Sequence, residues 1–517
     1  MEGQEMKEQK NMIQLFEDIE KQFPQKTALR DSNGAWNFAE LGQKARQRAR
    51  ELSKVLEEEA VSRQVPVGIV AFHTKETIAE LLAVMYSGNF FVTFAEDTPK
   101  QRREMIFENS GLEFYYDGGI LRKKTGEPVK TIESEEMGEP ENTLLRGYQC
   151  TDEDTLYLVY TSGSTGVPKG VQKSWGAMKA FAEQYQKTFS LSEQEILGNQ
   201  TPFYFDAAMK DVFQMLTTGA ELNIIPDRLF SFPIKLVEYL NEHKITMIVW
   251  VPSALKIVSV LNTFLAVQPK TLQKVLFVGE VLDSKHLANW MEQLPEAMFV
   301  NLYGSSEVAG VCSYYIVKQK PEPGAVLPLG QGFEADEVAL ISEAGERIFP
   351  VPENESAQGE LCVFGKTLAD GYFHDEDRTR EAFSDNPFPE ISSKKMFHTG
   401  DLGRYDTEGN LVYCGRKDFQ IKHMGYRIEL EEIELAVREI PEIVSNACIF
   451  DAKKDKIILF YQKKSKEPLT KKDIIAKLID RLPEYMLPNK VVETEEIPLS
   501  PNGKTDRMRL MEQYRNR

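Results

Sequence analysis

The chain is 517 residues long, 42% hydrophobic and 27% charged, the composition of a globular protein with enough apolar material for a large core. Its 62 basic and 80 acidic residues leave a formal charge of −18. Such a balance repels nucleic-acid phosphate at long range and argues against a nucleic-acid partner.

Taken in chain order, residues 1–10 are polar and charged and lack the apolar run of a signal peptide. An amphipathic helix and then a strand are expected within 11–30. A helix follows over 37–57, with Leu41, Ala45, Ala49 and Leu52 on one side. Segments 65–72 and 90–94 read as strands and 77–86 as a helix. The alternation resumes with strands at 155–160, 221–225, 246–250 and 274–278 and helices at 175–188 and 232–242. It predicts an α/β domain of helix-covered sheets. Beyond about 321 the texture turns to short β segments with Gly, Pro and Asp turns, which suggests a small β-barrel-like subdomain. Beyond 416 it changes again, to a helix at 430–440, strands at 444–450 and 456–461, and a helix at 470–481 that opens on Thr470 and Asp473 in capping-box spacing. The expected division is therefore a core of residues 1–417 and a small α+β domain of residues 418–517. The apolar runs are all shorter than the ~20 residues a membrane span requires.

Cys150, Cys312, Cys362, Cys414 and Cys448 are scattered and form no C-x-x-C pair. That pattern argues against a disulfide framework or a zinc site and predicts a reducing, cytoplasmic setting. Lys463, Lys464, Lys466, Lys471 and Lys472 make a local basic stretch, read as a solvated loop and helix start.

The strongest chemical signal is Tyr160-Thr161-Ser162-Gly163-Ser164-Thr165-Gly166-Val167-Pro168-Lys169-Gly170, which follows an apolar strand and is expected to lead into a helix. Glycines let backbone N–H groups approach phosphate oxygens, hydroxyls donate to them, and the lysine adds charge. The run is not a Walker A loop, because no Gly-Lys-Ser/Thr stands at the required spacing.

This loop resembles the phosphate loop of the adenylate-forming superfamily, which includes acyl-CoA synthetases, luciferases and peptide-synthetase adenylation domains. Further segments match in the family's order: Asn301-Leu302-Tyr303-Gly304-Ser305-Ser306-Glu307, Gly359-Glu360-Leu361 with Gly371-Tyr372, His398-Thr399-Gly400-Asp401, Gly415-Arg416-Lys417-Asp418, residues 420–429, and Pro501-Asn502-Gly503-Lys504. The resemblance implies ATP and Mg²⁺ as cofactors. Thr161, Ser162, Gly163, Ser164, Thr165, Gly166 and Lys169 would hold phosphate, and Tyr303 and Gly304 would lie on the adenine side. Ser306 would contact phosphate and Glu307 Mg²⁺. Asp401 would accept from the ribose hydroxyls, Arg416 would contact ribose or phosphate, and Asp418 would be the hinge. Lys504 would bridge the substrate carboxylate and the α-phosphate as charge builds up.

Phe203-Tyr204-Phe205-Asp206 is similar to the motif in which amino-acid activators pair an aspartate with the substrate's α-ammonium; relatives that activate acyl or aryl acids usually lack it, since a buried unpaired carboxylate is costly. The substrate positions implied are Asp206, Ala207, Lys210, Val249, Leu276, Val278, Leu302, Gly310 and Val311. Lys210 either points inward, which suggests an acidic or amide side chain on the substrate, or snorkels to solvent. Gly279-Glu280-Val281-Leu282, residues 418–422, 430–434 and 482–488 resemble the D-alanine–D-alanyl carrier protein ligase branch, although Val278 stands where that branch has a cysteine. No Gly-Gly-x-Ser pantetheine site follows Lys504, so a phosphopantetheinylated carrier protein is expected to act in trans. The expected function is activation of an amino acid as its aminoacyl-AMP and transfer to that carrier, with an acyl- or aryl-CoA ligase as the alternative.

Overall fold

A computed structural model describes residues 10–60, 63–129, 145–163, 165–261, 263–351, 354, 356–464, 469–499 and 505–515. The chain forms two compact units. One comprises residues 1–95, 110–159 and 171–415, the other residues 96–109, 160–170 and 416–517.

Local chemistry sets the elements of the first unit. The helix Phe38–Glu58 opens on Asn37, whose side chain caps the Glu40 N–H while Glu40 returns the bond to the Asn37 N–H. Leu41, Ala45, Ala49 and Leu52 are all buried, as the spacing predicts. Every residue of the helix Lys75–Tyr86 except Glu76 is buried, and the helix lies beside the strand Pro66–Val70.

Two large sheets carry this unit. The nine-stranded sheet has the strand order 331–332, 313–316, 298–303, 274–278, 247–250, 196–199, 221–224, 27–31, 34–37. Its five central neighbouring pairs, from 298–303 across to 27–31, run parallel. A parallel sheet gathers the carboxyl ends of its strands along one edge, where ligands of such sheets usually bind. Register sets Val249 beside Leu276 and Val278 beside Leu302 at that edge. The seven-stranded sheet has the order 371–372, 169–174, 155–161, 90–94, 66–70, 114–117, 120–123. A third, six-stranded sheet is built from the short β segments between 336 and 416.

Two elements stand where the sequence predicted none. The phosphate loop leads into the strand Lys169–Ser174 before the helix Trp175–Phe189 begins, so it joins two neighbouring strands of one sheet. This strand is Lys-Gly-Val-Gln-Lys-Ser, with one aliphatic side chain and no apolar alternation to mark it. The segment after Phe205, read above only as a motif, is the helix Asp206–Thr218, closed by Gly219 in the left-handed conformation.

In the second unit, the hairpin Gln420–His423/Tyr426–Glu429 precedes the helix Leu430–Arg438. A sheet of Ile443–Asp451, Lys456–Lys463 and Lys490–Glu493 follows. Thr470 and Asp473 make the expected capping box of the helix Lys471–Leu478. Ile428, Ile433, Val437, Ile457, Leu459, Ile474 and Leu478 form its core. Among the described residues no helix is long and apolar enough to cross a membrane.

Candidate active site

Asp206 is the first residue of its helix, where the helix dipole favours a negative charge. It is 7% exposed. Tyr157, on the strand Thr155–Thr161, donates its hydroxyl to Asp206 Oδ1 at 2.6 Å. Lys173, on the neighbouring strand, is fully buried and places Nζ 3.7 Å from Asp206 Oδ2. Burial raises the Asp206 carboxyl, opposed by Lys173, Tyr157 and Lys210. Burial likewise lowers the Lys173 ammonium, opposed by the charges of Asp206, Glu307 and Asp370. Desolvation also pushes Asp370 up to about 6, with Lys173 again resisting.

Glu307 is buried and accepts from the Tyr372 hydroxyl at 2.7 Å. Tyr303 donates to Asp401 Oδ2 at 2.6 Å, joining the two motifs expected to hold the nucleoside. Gly304 and Ser306 are half-buried. Ser305, between them, has a buried hydroxyl with no hydrogen-bond partner among the described residues.

The apolar positions Val249, Leu276, Val278, Leu302 and Val311 belong to one buried cluster. Gly310 has φ +68°, and a Cβ there would lie 2.3 Å from the Phe181 ring, so any other residue would strain the backbone and displace the ring. Ala207 is half-buried, and its carbonyl accepts from Lys210 Nζ at 2.8 Å. Lys210 is 2% exposed, which excludes the solvent-reaching alternative. Burial brings its ammonium down to about 8, with Asp211 and Asp206 opposing.

The phosphate loop and Arg416 belong to the second unit. Gly166 takes φ +79° and closes a turn on the Gly163 carbonyl. Gly163 N–H donates to Glu432 Oε2 at 3.2 Å, and Ser162 Oγ donates to the Arg427 carbonyl at 2.9 Å. Glu432 also pairs with the buried Arg102. Thr161 Oγ1 is buried without a hydrogen-bond partner among the described residues. Lys169 starts the following strand, and Thr165 is exposed. Arg416 binds Asp418 through two bonds, Nε to Oδ1 at 2.6 Å and Nη2 to Oδ2 at 2.7 Å. Burial raises the Asp418 carboxyl, but these bonds and the Arg416 charge outweigh it and hold the group below its ordinary value. Ser164 and Lys504 lie outside the described residues.

Ser305 in the first unit and Thr161 in the second each keep a buried hydroxyl without a partner among the described residues, a donor of the kind a nucleotide phosphate takes. Glu307 is an oxygen ligand suited to Mg²⁺. The described cluster with metal-ligand spacing is a different one, Glu360, Cys362 and His398. It is closed by its own bonds, from His398 Nδ1 to Glu360 at 3.0 Å and from Nε2 to Ser384 at 3.0 Å.

Sequence reasoning missed Tyr157, Lys173 and the pairing of Arg102 with Glu432, and it placed Tyr372 in a family motif without its bond to Glu307. Lys173 had one legible signal, a charge at an inward-facing position of a short strand between glycine and an apolar helix.

The AMP-binding enzyme family model matches residues 16–373, and that of the AMP-binding enzyme C-terminal domain matches residues 432–504. Tyrocidine synthase 1 of Brevibacillus parabrevis is 29% identical over 97% of this chain and 45% of its own length. The chain spans less than half the length of the peptide synthases it matches. D-alanine–D-alanyl carrier protein ligase of Bacillus anthracis is 28% identical over 96% of this chain and 99% of its own length. The fold is shared with the Vibrio cholerae adenylation domain AlmE, solved with glycyl-adenosine-5'-phosphate, at a TM-score of 0.82, 20% identity and full coverage of both chains. The chain belongs to the AMP-binding enzyme family and is an adenylate-forming enzyme.

Proposed function

We propose that this enzyme activates an amino acid with ATP and passes it to the phosphopantetheine thiol of a separate carrier protein. The observation that carries this reading is Asp206, a buried carboxylate at the start of its helix, held by the Tyr157 hydroxyl at 2.6 Å and standing 3.7 Å from Lys173, in the motif that resembles the amine-binding motif of amino-acid activators. The names of the relatives support the same chemistry.

In the first half-reaction the substrate carboxylate attacks the α-phosphorus of ATP. The bond to pyrophosphate breaks and the aminoacyl-AMP forms. Residues 161–169 and Ser306 would hold phosphate oxygens, Tyr303 and Gly304 would bound the adenine, and Asp401 would hold the ribose. Lys504 would stabilise charge on the α-phosphate. Mg²⁺, held by Glu307, would supply further charge stabilisation. In the second half-reaction the carrier thiol attacks the acyl carbonyl and AMP leaves. Residues 418–517 would turn about Asp418 between the two steps and withdraw Lys504. The apolar wall of Val249, Leu276, Val278, Leu302 and Val311 suits a small or apolar side chain. Lys210 donates a hydrogen bond to the Ala207 carbonyl and has the Asp211 and Asp206 charges to answer its own, which weakens the case for an acidic substrate.

The thiol acceptor is tested by incubating enzyme, MgATP and amino acid with a phosphopantetheinylated carrier or with free CoA, and reading the thioester by mass spectrometry. Loading of the carrier supports the reading. Acylation of CoA alone assigns the chain to the CoA ligases instead.

A further inference from the structure

A carboxylate that waits for a substrate ammonium ought to lack a cation of its own, yet Asp206 has one. Lys173 Nζ lies 3.7 Å from Asp206 Oδ2, and both side chains are buried. The other carboxylate oxygen is taken by the Tyr157 hydroxyl at 2.6 Å. The pair carries no net charge, whether the proton sits on nitrogen or oxygen. Lys173 Nζ has no hydrogen-bond partner among the described residues, so the pairing is one of charge across a gap. A buried ammonium with unused donors is costly and persists where something compensates it.

We propose that Lys173 is a built-in counter-ion of Asp206 and thereby a specificity-determining residue, one that lowers the site's demand for an α-ammonium on its substrate. This rests on the reading of Asp206 as the amine-binding residue. An incoming ammonium gains the Asp206 charge but meets the Lys173 charge a few ångströms away, at short range in a desolvated site. An acid without the amine leaves the Lys173–Asp206 pair intact and forfeits little. The enzyme should therefore separate an amino acid from its des-amino analogue only weakly. Lys173 has alternative carboxylates to face, Glu307 and Asp370, both of which act on it electrostatically. It is a positioning group that touches neither the phosphate nor the reacting carboxylate in this scheme.

The test is ATP–pyrophosphate exchange with D- and L-alanine against propionate, and with L-phenylalanine against 3-phenylpropionate, in the wild type, Lys173→Gln and Lys173→Met. Whichever pair the enzyme accepts, the wild type should distinguish its two members by less than about tenfold. Lys173→Gln should raise that ratio by tenfold or more, through a lower KM for the amino acid with kcat little changed. A ratio unchanged within twofold in an active variant overturns the proposal. A thermal-denaturation cycle of Lys173→Met, Asp206→Asn and the double variant decides the counter-ion assignment without activity. The double variant should melt well above the sum of the single losses, whereas additive losses overturn it. Where neither pair supports exchange, the same ratio is read with whichever member of a panel of D- and L-amino acids does and with its des-amino acid; absence of exchange with the whole panel, alongside a coupled melting cycle, would contradict the proposed reaction and leave the counter-ion standing.

Discussion

Asp206 was visible in the sequence because the motif around it is local, but its partners were not. Tyr157 lies 49 positions away and Lys173 comes from a different strand, so only the sheet brings them together. Removing the carboxylate should act twice on an amino-acid substrate, by deleting the ammonium acceptor and by leaving Lys173 to repel. Asp206→Asn should raise the KM for the amino acid by about 100-fold while changing the KM for ATP little, measured by pyrophosphate exchange. Tyr157→Phe removes one hydrogen bond and should cost about fivefold in the same KM, with about 1 kcal/mol of stability. Equal effects of Asp206→Asn on both substrates would remove its assigned role. The tyrosine-to-carboxylate bonds Tyr303–Asp401 and Tyr372–Glu307 repeat the arrangement, and they too join residues far apart in sequence.

Elements were the more legible scale, because hydrophobic period and capping act over a few residues. The capping boxes at Asn37/Glu40 and Thr470/Asp473 and the buried face of the helix Phe38–Glu58 follow from adjacent residues. The strand Lys169–Ser174 and the helix Asp206–Thr218 did not, since both begin inside motifs whose chemistry masks their period. Glu80, fully buried in the helix Lys75–Tyr86, shows what burial does to a charge. One oxygen accepts from the Gly119 N–H at 2.6 Å and the other has no hydrogen-bond partner among the described residues. Burial raises its pKa from 4.5 to about 7, opposed by Arg48 and the Gly119 bond. The folded state therefore holds the proton more tightly than the unfolded chain. That contribution is complete below the unfolded value and is lost as pH rises from 4.5 through about 7. Glu80→Gln keeps the carbonyl acceptor and escapes the loss. It should stabilise the protein at pH 8, by about 3 kcal/mol at most, and the gain should vanish near pH 4.5 in melting experiments. A gain independent of pH would contradict this account.

At the scale of the molecule, the sequence predicted a division at one point in the chain. The compact units group residues 96–109 and 160–170 with residues 416–517. The buried Arg102–Glu432 pair that binds the first of these stretches spans 330 positions, beyond the reach of any local pattern. Breaking a buried pair on one side strands the other charge, so Arg102→Met should cost about 3 kcal/mol, seen as an earlier melting transition. Glu432 also takes the Gly163 N–H, which ties the phosphate loop to the same helix. Division of labour between the two half-reactions predicts that Lys504→Ala loses adenylate formation, by about 100-fold or more, yet still loads a carrier from preformed aminoacyl-AMP. Loss of both steps in a folded variant would refute that division.

The central claim is that the enzyme activates an amino acid through its adenylate. ATP–pyrophosphate exchange against D- and L-amino acids, fatty acids and aryl acids tests it most directly. The account predicts Mg²⁺-dependent exchange with at least one amino acid, and exchange with D-alanine alone would place the enzyme with the D-alanine–carrier protein ligases. Exchange with fatty or aryl acids only, and with no amino acid, would contradict it.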